Sequence, residues 1–167
     1  MILPEYYQLY AHEVSQSNFM SHLRSQSTEF TSYLKRMDVA LWKHRYAENK
    51  WSVSEVLLHI IDNERIFSYR ALRFARNDNS ALQGYEHNDY VPESFADYRS
   101  PASIIDEFAS VRSATLTLFE SFSPMTLKRT GVASQVEFDV EALGVVIAGH
   151  LHHHWQVIES KYKHSSL

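Results

Sequence analysis

The feature that most limits the fold is a helical repeat of apolar residues that recurs along the chain with little to interrupt it. Glycine and proline each occur only four times in 167 residues. That is too few for the many tight turns of a sheet protein, and alternating strand-like runs are nearly absent. Residues three and four apart share one helix face. On that spacing Phe19, Leu23, Phe30, Leu34 and Met37 form a stripe over residues 15–37. A second stripe runs through Val53, Val56, Leu57, Ile60, Phe67, Ala71 and Phe74 to about residue 76. A third joins Ile104, Ile105, Phe108, Val111, Thr115, Phe119 and Phe122, and a fourth, over residues 140–162, joins Leu143, Val146, Ile147, Val157 and Ile158. Four helices of about 20 residues, each roughly 30 Å long, predict an all-α four-helix bundle filling residues 1–167 as a single domain.

Local signals set the boundaries. Ser52-Val53-Ser54-Glu55 is a capping box that opens the second helix. Ser100-Pro101 places an N-cap and a first-turn proline before the third, and Asp139 is the expected N-cap of the fourth. Between helices two and three, residues 77–100 turn to Asn, Asp and Ser with Gly84, Pro92, Tyr85, Tyr90 and Phe95. A connection of that length can cross a whole helix and leave helices two and three parallel. The expected topology is therefore up-down-down-up with a long crossover between helices 2 and 3. The shorter link over residues 38–46 predicts antiparallel neighbours for helices one and two. Residues 124–135 read as loop and 136–139 as a brief extended lead-in. Residues 1–14, with Pro4, Tyr6, Tyr7 and Tyr10, read as an arm packed on the outside.

Composition narrows the function. An apolar fraction of 44% and a charged fraction of 22% are those of a soluble globular protein. The net charge is −4 and no Lys/Arg cluster follows one helix, which argues against nucleic acid as the partner. With no cysteine, disulfides, thiolate metal sites and a cysteine nucleophile are excluded. There is no basic start with a long apolar run and no span near about 18 apolar residues, so the expectation is a cytoplasmic protein with no membrane partner.

The chemistry concentrates in Gly149-His150-Leu151-His152-His153-His154-Trp155. His150 and His154 fall at the centre of the fourth apolar stripe, while His152 points away and His153 sits at the stripe's edge. Imidazoles in a core-facing stripe are costly without a partner. One partner is a metal ion, since His at i and i+4 can present two nitrogens to the same cation. The alternative is a pair of core histidines bonded to side chains or water. His59, on the flank of the second stripe, lies about 10 Å from its helix start, and His154 and His150 lie roughly 12–18 Å from their helix end. In antiparallel helices two and four the three are nearly level, which makes His59 the candidate third ligand.

Other polar residues have duller readings beside the sharper ones. Glu64 and Arg112 both fall inside apolar stripes and are expected to form a buried ion pair, with a catalytic carboxylate as the alternative for Glu64. Asp62 and Asn63 stand one turn from His59, where they either orient it or face solvent. Trp51 reads as a core anchor, and His87 with Tyr85 and Tyr90 as a border of the site mouth. His12, His22, His44 and His164 show no partner spacing.

Several stretches together resemble the DinB/YfiT-like superfamily of metal-binding bundles, which is unrelated to the polymerase sharing the name. They are Lys50-Trp51-Ser52-Val53-Ser54-Glu55, His59-Ile60-Ile61-Asp62-Asn63-Glu64-Arg65, and Ala148-Gly149-His150 through His153-His154-Trp155. The runs from Tyr69 to Asp78 and from Ile158 to Tyr162 also look like one branch of it. The resemblance implies an up-down-down-up bundle, often a homodimer, with His59, His150 and His154 on a divalent metal ion, zinc or nickel. It further implies a metal-dependent enzyme acting on a small molecule, either a transferase or isomerase using a low-molecular-weight thiol, or a hydrolase. No motif selects among these, and a non-catalytic protein in which the metal is structural or sensing stays open. Catalytic residues other than metal ligands are not legible, and any thiol must come from outside the chain.

Overall fold

A computed structural model of the chain describes residues 1–12, 14 and 18–162. Four long helices dominate it: α1 (Phe19–Arg36), α2 (Val53–Ala75), α3 (Pro101–Glu120) and α4 (Val140–Val157). The expected first residue of α1, Ser15, lies outside the described residues, as does His164; the observed helix begins after Asn18, whose side chain accepts from the Met20 amide at 2.9 Å. The three other caps fall where the sequence put them. Ser52 accepts from Glu55 N (3.1 Å) while Glu55 accepts from Ser52 N (2.7 Å), Ser100 accepts from Ser103 N (3.2 Å), and Asp139 accepts from Ala142 N (2.8 Å). After Val157 the last helix widens into one π-turn, Ile158–Tyr162.

Side-chain pairs give the helix directions. Between α2 and α3, Glu64 meets Arg112 and Ser68 meets Thr115, so residue numbers rise together and the helices are parallel. Between α1 and α4, Gln26 meets Ala148 and Phe30 meets Trp155, again parallel. Phe19 against Phe119 and Phe30 against Phe108 make α1 and α3 antiparallel, and Trp51 against Tyr162 does the same for α2 and α4. The topology is up-down-down-up. One expectation fails: α1 and α2 are antiparallel but stand at opposite corners, each packed on α3 and α4. The link between them contains a 3-10 helix, Val39–Lys43, and is long enough to cross the diagonal.

Two regions expected to be irregular are structured. The crossover holds a short helix, His87–Glu93, and a 3-10 turn, Ala96–Tyr98. Residues before α4 form a short helix, Pro124–Leu127, and a hairpin of β1 (Thr130–Ala133) and β2 (Val136–Asp139) in antiparallel register. The hairpin turn places Ser134 and Gln135 at φ 51° and 66°. Both residues are left-handed, a turn that Asn-Gly ordinarily signals, so Ser-Gln gave no warning of it. Leu82, from the crossover, adds a bridge to β1.

The interior has two apolar clusters separated by a polar layer. Phe19, Leu23, Phe67, Phe74, Phe119 and Leu143 belong to one cluster, and Phe30, Leu34, Leu57, Ile60, Phe108 and Leu151 to the other. Between them Arg112, 0% exposed, donates from Nε and Nη2 to the two carboxylate oxygens of Glu64 at 2.9 and 2.8 Å. Its Nη1 donates to the Leu23 carbonyl (3.1 Å) and to Gln26 Oε1 (3.2 Å), and Gln26 Nε2 donates to the Ala148 carbonyl at 2.8 Å. One guanidinium thus ties together all four helices, and Glu64 is a partner of Arg112, not a free carboxylate.

A candidate metal centre

The three histidines meet. His59 Nε2 lies 3.0 Å from His150 Nε2, which lies 3.1 Å from His154 Nε2, and the three donor atoms all fall within 4.8 Å of one another. His150 and His154 are one turn apart on α4, and the antiparallel approach of α2 brings His59 level with them. Hydrogen bonds between the rings can pair His150 with both neighbours in suitable tautomers, and the same three atoms are equally placed to donate lone pairs to a shared ion. Imidazole arms of 2.0–2.1 Å at tetrahedral angles set donor nitrogens about 3.3 Å apart. The observed spacing is close to that, so the donor set fits a divalent ion.

Burial keeps the set in its ligand form. It lowers the His59 pKa to about 4, with a smaller push from His87, and the His154 pKa to about 3, with further pushes from His59, His153 and His87. His150 is depressed well below its ordinary value by burial and then by His154 and His59. All three are neutral near pH 7 and offer lone pairs.

The surroundings were only partly legible. Trp51 is half-buried against the second apolar cluster and also forms a wall of the site: Tyr162 Oη donates to its carbonyl oxygen at 2.7 Å, and its ring sits 5.0 Å from that of His59. His87, from the crossover, lies 5.4 Å from His59 by ring centroids and 5.8 Å from Trp51, at the border expected of it. His152 is outside the converging trio and lines a separate hollow with Gln8 and Gln156, and His153 is half-buried against Tyr10. Asp62 meets Arg65 at 3.5 Å rather than His59, and it is half-buried, with burial raising its carboxyl pKa. Asn63 turns inward, donating from Nδ2 to Tyr85 Oη at 2.9 Å.

The N-terminal segment corrects the reading of an outer arm. Ala11 and Val14 are buried, Tyr7 packs on Phe67 and Phe138, and the Tyr10 ring lies 5.3 Å from His150. Gly149 permits this. A Cβ there would stand 1.7 Å from the Tyr10 carbonyl oxygen, so only a hydrogen lets the segment lie against α4 beside the site. The Ala148-Gly149-His150 run carried that signal, since a glycine inside a buried helix marks close backbone approach.

Beside the histidines lies a cavity of about 190 Å³, lined by Tyr7, Tyr10, Asn63, Arg70, Tyr85 and His87 among others. A larger hollow, about 650 Å³, opens near Asn18, Arg24 and Glu120 and contains no histidine. Burial pushes the Tyr10 hydroxyl up to about 12 and also raises Tyr85, so both phenols are neutral donors.

A parallel-paired four-helix bundle with three inward histidines defines the class of the protein. The chain belongs to the DinB superfamily, whose family model matches residues 22–158. Several solved chains share the fold, and two proteins among them are instructive. One is YfiT from Bacillus subtilis, described as a probable metal-dependent hydrolase with an unusual four-helix bundle topology. It is 15% identical with a TM-score of 0.73, over 84% of this chain and 82% of that one. The other is the mycothiol-dependent maleylpyruvate isomerase, 11% identical with a TM-score of 0.66. The match takes in 86% of this chain but only 60% of the isomerase. No curated protein matches the sequence. Among the described residues no helix is long and apolar enough to cross a membrane.

Proposed function

We propose that His59, His150 and His154 hold one divalent metal ion, zinc or nickel, and that the protein is a metal-dependent enzyme acting on a small molecule in the adjoining cavity. The observation that carries this is the convergence of three neutral imidazole nitrogens, two on buried rings and one on a half-buried ring, at the spacing of ligands to one ion. An ion held by these three side chains would supply acidification of a water or thiol and polarisation of a carbonyl.

The chain's own residues do the rest. Tyr10 and Trp51 pack against the imidazoles of His150 and His59. Tyr85 and Asn63, joined by their hydrogen bond, present neutral polar groups to the substrate. The reaction classes that fit are hydrolysis and transfer to a low-molecular-weight thiol, the latter supplied from outside because the chain has no cysteine. The fold neighbours, described as a metal-dependent hydrolase and a thiol-dependent isomerase, support both.

A purely structural ion fits less well, because the bundle already has two apolar clusters and a complete polar layer without it. Stripping the protein with a chelator and restoring zinc or nickel separates the two. Turnover of an ester panel, or of thiols with electrophilic acceptors, is expected to appear on restoration, with the stripped fold intact by circular dichroism. A stripped chain that unfolds outright would instead make the ion structural.

A further inference from the structure

The cavity has a second polar end that metal binding does not use. Arg70 shares the α2 face of His59 and Asn63 and is 2% exposed. Its Nη2 donates to Ser134 Oγ at 2.8 Å and to the Gln83 carbonyl at 3.3 Å. The guanidinium lies over the Phe67 ring at 4.9 Å, with the Tyr7 phenol beside it. No carboxylate pairs with it among the described residues. The other buried arginine, Arg112, has its carboxylate on both prongs of the fork. A buried cation without a counter-ion is costly, and the neutral groups around this one offset only part of that cost.

Two further details point the same way. Asn63 is nine-tenths buried and lies between Arg70 and the histidines along α2. One end of its amide is joined to Tyr85, while Oδ1 has no partner. Ser134, which positions the guanidinium, is held at φ 51°, a conformation a non-glycine residue adopts at a cost.

We propose that Arg70 recognises a negatively charged group, carboxylate or phosphate, on the substrate of this cavity. The guanidinium ion-pairs with that group through the part of its fork that Ser134, Gln83 and the Tyr7 hydroxyl leave free. The rest of the molecule then extends past Asn63 toward His59, His150 and His154. A volume of about 190 Å³ limits the ligand to a small acid. The inference rests on the metal-site reading only for which end of the substrate reacts; recognition of the anion itself needs no metal.

The test is a titration of chelator-stripped protein at pH 7.5 with benzoate, benzamide and inorganic phosphate, followed by protein-observed NMR. Benzoate or phosphate is expected to bind saturably, with shifts around Arg70, Asn63 and Ser134, and benzamide at least tenfold more weakly. The stronger of the two anions identifies the group recognised. Arg70→Met is expected to weaken anion binding at least tenfold while taking up metal as the wild type does. Should that variant fail to fold, Arg70→Gln, which keeps donors for Ser134 and Gln83 without the charge, is expected to show the same loss. Benzamide binding as well as benzoate, no binding of either anion, or unchanged affinity in the folded variants would overturn the proposal. Because these measurements use stripped protein, a wild type that never takes up metal would defeat the metal reading and leave this result standing.

Discussion

The interior contains two polar clusters, and they differ in one respect that separates scaffold from site. In the layer around Arg112 every partner is matched. Both Glu64 oxygens, the Leu23 carbonyl and Gln26 take up the guanidinium, and Gln26 closes on Ala148. In the cluster around His150, three imidazole nitrogens converge on one point, and among the described residues a nearby arginine pairs with no acid. Burial is similar in the two, since Arg112, Glu64, His150 and Arg70 are each 5% exposed or less. What distinguishes them is completeness. A satisfied buried network holds helices in register, whereas an unsatisfied one waits for something from outside the chain.

The largest expected effect comes from breaking the complete cluster. Arg112→Met strands the Glu64 carboxylate in the core and is expected to cost about 3–5 kcal/mol in chemical denaturation. Near-normal stability would mean that the layer contributes little and that the contrast drawn here is wrong.

Acid is expected to attack the incomplete cluster first. Burial holds His59 at about 4 and His154 at about 3, while the unfolded chain's imidazoles titrate near about 6.5. As pH falls below about 6.5 the unfolded state takes up protons before the folded one. Stability of the stripped protein is therefore full above that pH and declines toward about pH 4, by roughly 1.4 kcal/mol per pH unit for each such group. Replacing His154 by Gln is expected to flatten the decline. A flat profile in the stripped wild type would show that these imidazoles are not held neutral.

A smaller effect is expected at Gly149→Ala. The added methyl meets the Tyr10 carbonyl oxygen, which is backbone and cannot swing aside. Overpacking of this kind costs about 1–3 kcal/mol, and displacement of Tyr10 is expected to speed removal of metal by chelators. An unchanged chelation rate would mean that Tyr10 does not shield the site.

Much of this was legible in the sequence because it depends on helical spacing. The stripes fix which faces turn inward, so Glu64, Arg112, His150 and His154 could be placed before any coordinates, and the crossover length allowed parallel α2 and α3. Features that depend on contacts between distant segments were not legible. Tyr10 reaches His150 from the far end of the chain, and only Gly149 hinted that a backbone passes there. No sequence signal marked Arg70, because its partner Ser134 sits on a hairpin turn whose Ser-Gln pair carries no signature. Trp51, read as core, is held beside His59 by a hydrogen bond from Tyr162, 111 residues away.

The most direct test of the central claim is the metal content of the purified protein and four single variants, measured by elemental analysis after gel filtration. The account predicts about one zinc or nickel ion per chain in the wild type. His59→Ala, His150→Ala and His154→Ala should lose it, and His152→Ala should retain it. Equal loss in all four would mean that the histidine run binds metal as a loose chelator. A wild type that stays metal-free when offered either ion would contradict the account outright.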